Sequence, residues 1–438
     1  MQHRAIDDAV DHARIIDTHE HFSDTAAIND AGANLFSILP RGYIGFFDFY
    51  PGLREDLLKF TRYPQLQEMN YIKLKQFIDS YYEYEFVDVL DMGIQYLHGL
   101  SIKHLTEDVF NKLNKSIENA YTEPRRRDRI MKEFHIERSI CDVPHNTIGL
   151  GPSFTRDFDP IFYKPAMRVN SLLFGFDIDA WNPSTCLIKI MANELKIIPG
   201  IPTTFHEFIE CVDKILDWSR WKVVSFKCAS AYERTINFVT AKEAVNGTKK
   251  WNLAKNVFGK SFARSTEQER LAFGDVVMHY MLGRIEGMGI PLQVHTGTAI
   301  MPGSNPRNIE NLIEAYPAID FSLLHCGFPW TDETINIIKH HANAHAEMAW
   351  LQMLSKEAAA AFLARAIMEG LEHKVIAFGG DCACIEGSTG ALLVLKRVVK
   401  EAVARCMKQK KVGASDVEQL VDTLFYQNPC HLFFKKEA

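Results

Sequence analysis

The chain has 438 residues, 47% of them hydrophobic and 24% charged, with a formal net charge of −6. These proportions are those of a globular protein with a buried core and exclude collagen-like, fibrous and disordered classes. The acidic balance gives no basic face for a nucleic-acid backbone, no run of about 18 apolar residues offers a membrane span, and the N-terminus lacks a signal-peptide pattern. A soluble cytoplasmic protein with neither nucleic acid nor membrane as partner is therefore expected. Nine cysteines lie scattered without a paired framework, which suits a reducing compartment.

Short apolar runs that end on a polar residue recur along the chain and alternate with segments of helical periodicity. In order, the predicted strands are Arg14–His19, Arg138–Asp142, Met167–Phe176, Lys222–Lys227, Ile290–His295, Ile319–His325, His345–Trp350 and Lys374–Asp381. Parallel strands buried on both faces read as continuous apolar runs, and eight of them joined by helical crossovers are the content of a (β/α)8 TIM barrel. No glycine-rich phosphate fingerprint follows any strand, which argues against an open doubly wound sheet; Gly379-Gly380 precedes Asp381 inside the last run.

The stretch between the first and second strands is far longer than one crossover needs. It contains YIKLKQFIDSYYEYEFVDVLDMGIQYLHGL, apolar at helical spacings, followed by capping signals at Ser101 and Thr106. The chain is accordingly read as one domain, 1–438, carrying a helical cap insertion over residues 23–122. An insertion leaving the C-terminal end of a barrel strand emerges on the catalytic face. It covers the mouth, forms the interface of a homo-oligomer, which its aromatic helices make an expectation, or does both.

THEHF places His19 and His21 at the end of the first strand, and strand alternation sends both to one face. Neutral imidazoles so placed suit one divalent ion bound at about 2.1 Å. His295 (LQVHTG), His325 (SLLHCG) and Asp381 (AFGGDC) each end a predicted strand, where barrel enzymes carry their catalytic groups, and small residues follow the two histidines. A single histidine at a strand end is more often structural. Four of them with an aspartate, all aimed at one mouth, point to a metal centre.

This pattern resembles the amidohydrolase superfamily, which carries HxH on the first strand, Lys or Glu on the fourth, His on the fifth and sixth and Asp on the eighth. The C-terminal QNPCHLFF is similar to the ending of the amidohydrolase-related branch. FKCASAYERTI and the run QVHTGT through YPAIDFSLLHCGFPW look like the barrel hydrolases related to nodulin and to the N-terminal half of fungal FluG-type proteins. The long insertion after HxH is similar to that of uronate isomerases.

The resemblance implies that His19, His21, His295 and Asp381 ligate one or two divalent ions, zinc first and manganese second. His325 would ligate a second ion or polarise the substrate. Lys227 stands where many members carry a carboxylated, bridging lysine. An unmodified ammonium there would bind a substrate oxyanion instead, and a purely structural lysine is the third alternative. Tyr232 and Arg234 stand near the family's Tyr-Arg pair, although Glu233 separates them here; Arg234 is expected to clamp a substrate carboxylate. His145, Trp330 and Trp350 are further candidates for the pocket, with packing as the plainer role.

The function so implied is hydrolysis of a small molecule, a metal-activated water attacking an amide or ester bond with Asp381 and His325 as catalytic residues. A mononuclear non-oxidative decarboxylase or uronate-isomerase-like enzyme is the alternative. A non-catalytic ligand-binding barrel is a third reading, against which stands the intact set of five residues.

Overall fold

The computed structural model describes residues 2–22, 33–42, 71–142, 158–181, 183 and 186–435. Eight strands, β1 Ile15–Glu20, β2 Ile136–Asp142, β3 Tyr163–Arg168, β4 Ser225–Cys228, β5 Leu292–His295, β6 Phe321–Leu324, β7 Ala344–Glu347 and β8 Val375–Ile376, stand in sequence order in one sheet. This is the (β/α)8 architecture that the alternation of apolar runs and helical segments implies.

Two expected strands are corrected. The third lies at Tyr163–Arg168, and Asn170–Leu173, inside the predicted run, is a short helix with all four residues buried. An apolar run alone does not separate a buried strand from a buried helical turn. The eighth strand pairs with its neighbour only over Val375–Ile376. Beyond it the chain turns its hydrogen bonds to β1: the Thr18 N–H donates to the Phe378 carbonyl at 3.1 Å and the Asp381 N–H to the His19 carbonyl at 2.7 Å.

The described residues divide into two compact units. The first comprises Met1–Ser139, Ala349–Met368 and Ala377–Phe425, the second Ile140–Met348, Glu369–Ile376 and Tyr426–Ala438.

In the first unit, the described part of the insertion is helical, with Tyr71–Tyr81, Glu85–His98 and Glu107–Thr122 as its main helices. Leu74, Phe77, Ile78, Leu90, Ile94, Leu113 and Ile117 face one another in a core of their own, as the apolar spacing requires. Gly99, at φ +66, ends the second of these helices. The turn that follows is built on buried Asp91, whose carboxylate accepts from the Ile102 N–H at 2.7 Å and from the Ser101 and Tyr82 hydroxyls at 2.8 Å each. Ser101 thus ties the turn and caps no helix, whereas Thr106 does cap Glu107–Thr122, accepting from the Val109 N–H at 3.2 Å.

The helix Glu85–His98 crosses the long helix Ile385–Lys408 at a pair of glycines. A Cβ on Gly93 would overlap the Glu386 carbonyl oxygen, and one on Gly390 would overlap the Val89 carbonyl oxygen. Beside this crossing Glu386 is fully buried, and its carboxylate accepts from the Tyr121 hydroxyl at 2.7 Å, Arg126 Nη1 at 3.1 Å and His98 Nε2 at 3.2 Å. Burial alone would push this carboxyl up; the His98 and Tyr121 hydrogen bonds and the Arg126 charge outweigh it and hold the pKa below the usual 4.5.

In the second unit, β3 to β8 pair in parallel, with Arg168 beside Lys227, Lys227 beside Gln293, and His295 beside Leu324. A fully buried Glu347 on β7 accepts from Ser322 Oγ at 2.6 Å and Gln293 Nε2 at 3.2 Å, hydrogen bonds that offset the cost of burying it.

Gly93→Ala should lower the unfolding free energy by about 1–3 kcal/mol in urea titrations through overpacking. Gly283→Ala, whose Cβ would meet no heavy atom within 4 Å, should instead stabilise by about 0.5–1 kcal/mol through helix propensity. Because the Glu386 pKa is depressed on folding, its contribution is present above about pH 4.5 and is lost as pH falls through the folded value. Thermal midpoints measured from roughly pH 5 to 3 should therefore fall less steeply in Glu386→Gln than in the wild type; parallel curves would remove Glu386 from the acid response.

Candidate metal centre

The first unit brings together three of the expected ligands. His21 Nε2 stands 3.0 Å and His19 Nε2 3.9 Å from Asp381 Oδ1. One donor atom from each residue lies within 4.8 Å of the others. An ion bonded at about 2.1 Å to each would set its ligand atoms roughly 3–4 Å apart, so two imidazole nitrogens and a carboxylate oxygen at these separations fit one divalent transition ion. The imidazole rings are edge to face, 5.0 Å apart. His19 and Asp381 are 1% and 3% exposed, so the carboxylate meets the imidazoles out of bulk water, where their interaction is strong. His19 lies within β1, which extends to Glu20, and His21 follows it.

Local geometry explains the Gly-Gly before Asp381. A Cβ on Gly380 would overlap Glu20 Oε1, and one on Gly379 would lie 3.2 Å from the His19 Cβ and 3.0 Å from that of Ala349. The pair lets the chain press against β1, a role distinct from phosphate cradling. Burial pushes the Asp17 carboxyl up to about 7 and that of Glu20 well above the usual range. Trp350, expected at the pocket, is 2% exposed; its indole N–H donates to the Asp381 carbonyl at 2.9 Å and its ring meets Phe86 edge-on. Its observed contacts are those of packing.

The second unit brings together His295, His325 and Tyr232. His325 Nε2 and His295 Nδ1 are 2.9 Å apart, so one of these two nitrogens carries the shared proton. The Tyr232 ring lies 4.4 Å from that of His295, and Thr298 Oγ1 lies 3.4 Å from His295 Nε2. Lys227, 1% exposed, holds its place in β4.

Arg234 serves the fold. It is 6% exposed, donates Nη2 to Asp275 Oδ1 at 2.7 Å and Nη1 to the Leu271 carbonyl at 3.1 Å, and a Cβ on Gly274 would lie 2.5 Å from Nη1. The guanidinium expected to clamp a substrate carboxylate is thus engaged by an internal one. Trp330 is half-buried and leads into the helix Thr331–His340. His145 lies outside the described residues.

The structure adds features that the sequence did not single out. Asp142 and Arg168, the last residues of β2 and β3, form a forked ion pair with Arg168 Nη2 2.5 Å from Asp142 Oδ2. Glu233 is exposed, yet its surroundings are dense enough for burial to raise its pKa, and Asn170 Nδ2 donates to it at 3.2 Å. Non-glycine residues also adopt positive φ where strands stop: Thr298 at +48 after β5, His325 at +61 after β6, Trp350 at +65 after β7 and Asp381 at +47 after β8. Such backbone costs about 1–3 kcal/mol per residue and gathers at functional sites.

Comparison with known proteins matches part of the chain to the family that the sequence resembles. Residues 262–429 match the amidohydrolase family. A glucuronate isomerase from Caulobacter crescentus superposes with TM-score 0.74 at 13% identity, covering 100% of this chain and 94% of that one. A uronate isomerase from Thermotoga maritima gives TM-score 0.70 at 13% identity, covering 99% and 97%. A protein assigned as a metal-dependent hydrolase from Lactobacillus casei gives 0.65 at 15%, covering 99% and 98%. At these identities the likeness is one of fold. No curated protein matches the sequence. Among the described residues no helix is long and apolar enough to cross a membrane.

Breaking the buried Arg234–Asp275 pair takes the close partner from a buried carboxylate and leaves it the more distant Lys250 Nζ, at 3.4 Å. Arg234→Leu should therefore lower the unfolding free energy by about 3–5 kcal/mol while bound metal per folded chain stays at the wild-type value. A drop in metal content without loss of stability would contradict the structural role.

Proposed function

From the amidohydrolase match over residues 262–429, we propose that this chain is a metal-dependent enzyme of the amidohydrolase superfamily that hydrolyses an amide or ester bond of a small molecule. The observation that carries the reading is the convergence of His19, His21 and Asp381. These three would hold a divalent ion, and their N,N,O donor set suits zinc first and manganese second. Such an ion supplies Lewis acidity and lowers the pKa of a water from 15.7 to about 7.

The chain's own groups account for the remaining steps. The Asp381 carboxylate takes the proton released by the attacking water and returns it to the leaving nitrogen or oxygen. His325, its Nε2 shared with His295 Nδ1, is assigned the polarisation of the scissile carbonyl. That hydrogen bond occupies one nitrogen of each ring, which favours this role over ligation of a second ion. Lys227 is assigned to an anionic substrate oxygen.

A second reading, decarboxylation or isomerisation of a small acid, is favoured by one observation. In-register pairing sets Arg168, itself paired with Asp142, beside Lys227, two basic side chains near neighbouring strand ends that would suit a substrate carboxylate. Release of CO₂, aldose–ketose interconversion or hydrolysis in a substrate screen separates the reactions.

Elemental analysis of protein purified without chelators tests the centre. About one ion per chain is expected, lost in His19→Ala and retained in Lys227→Ala, with activity reduced at least about 1000-fold in His19→Ala because the Lewis acid goes with the ion. Two ions per chain, falling on Lys227→Ala, would replace the mononuclear reading with a carboxylated-lysine bridge. Unchanged metal in His19→Ala would sink the assignment.

A further inference from the structure

Two buried carboxylates, Asp17 and Glu20, flank His19 in β1, each 0% exposed and without a role in the chemistry above. Both reach the backbone that carries Asp381. The Gly380 N–H donates to Asp17 Oδ1 at 3.1 Å, the Asp381 N–H to the His19 carbonyl at 2.7 Å and the Cys382 N–H to Glu20 Oε2 at 2.9 Å. Three consecutive amides are thereby given to one strand, the middle one belonging to the ligand itself. The far side is fastened as well: Asp17 Oδ2 accepts from Ser139 Oγ at 2.9 Å, and Glu20 Oε1 accepts from Ser388 Oγ.

This arrangement answers a specific strain. Asp381 sits at φ +47, where its Cβ crowds its own backbone, and an unsupported aspartate there would relax and turn its carboxylate. The amides on either side of it are fixed by side chains from the strand that carries His19, so the ligand's conformation and the imidazole's position are set by the same element. Carboxylates withdrawn from water persist only when hydrogen-bonded, and these two are bonded to the backbone they hold.

We propose that Asp17 and Glu20 form a carboxylate clamp, a pair of positioning residues that hold Asp381 in its metal-ligating conformation. The proposal rests on the metal centre proposed above. It separates two substitutions at one position. Glu20→Gln keeps the clamp, because the amide oxygen accepts from the Cys382 N–H while the amide nitrogen donates to Ser388 Oγ, which can accept. Glu20→Ala removes both bonds.

The test is a cobalt(II) titration of the full-length protein, read by visible absorption, with hydrogen exchange over residues 377–384 of the metal-free protein. Loss of outer partners typically weakens metal binding about 10–100-fold. Glu20→Ala should accordingly bind at least about tenfold more weakly with an altered spectrum and faster exchange, Glu20→Gln within about threefold of wild type, and Ser388→Ala about two- to fivefold more weakly.

Unchanged affinity and spectrum in Glu20→Ala, or a Glu20→Gln as defective as Glu20→Ala, would overturn the clamp. Should Glu20→Ala not fold, Ser388→Ala decides, and wild-type affinity in that variant overturns the proposal. Failure of the wild type to bind cobalt would instead sink the metal centre, and the clamp with it. Wild-type binding matched by Glu20→Ala sinks the clamp alone.

Discussion

The 2.7 Å hydrogen bond from the Asp381 N–H to the His19 carbonyl is the contact on which the site of the first unit depends. It joins the backbones of two candidate ligands directly, so the separation of an imidazole and a carboxylate is fixed by main chain. Everything near it serves this approach. Gly379 and Gly380 lack the Cβ atoms that would force the segments apart, and the Trp350 indole fixes the far side of the Asp381 peptide. The strain of a non-glycine residue at positive φ falls on Asp381, the candidate ligand of this seam. Hydrogen bonds satisfied inside a water-free seam hold it there.

Much of the fold was legible because strands buried on both faces leave apolar runs. What failed was the boundary between strand and turn. Met167–Phe176 is apolar throughout, and its interior holds both the end of β3 and the helix Asn170–Leu173. That misreading hid Arg168, whose position as the last residue of a strand was the signal that drew attention to His295 and Asp381. The ion pair between Arg168 and Asp142 was invisible for the same reason.

The structure brings residues together where ligand type and strand end coincided in the sequence, as at His19, His21 and Asp381. The sequence was misleading where a charged residue near a strand end has an internal partner far along the chain. Arg234 has the position of a substrate clamp, but Asp275 lies 41 residues away on another element, and pairing at that distance leaves no local pattern. Asp17 and Glu20 were passed over because carboxylates beside histidines read as generic polarity. Their roles appear only when the amides of 380 and 382 are seen to end on them. The His295–His325 hydrogen bond is of the same kind, since two rings may end two strands without touching.

The most direct test of the metal centre is a crystal structure of the zinc-loaded protein with anomalous data collected on both sides of the zinc edge. The account predicts one anomalous peak bonded at about 2.1 Å to nitrogens of His19 and His21 and to an Asp381 carboxylate oxygen. A fully loaded crystal whose zinc lies away from these three residues would contradict it.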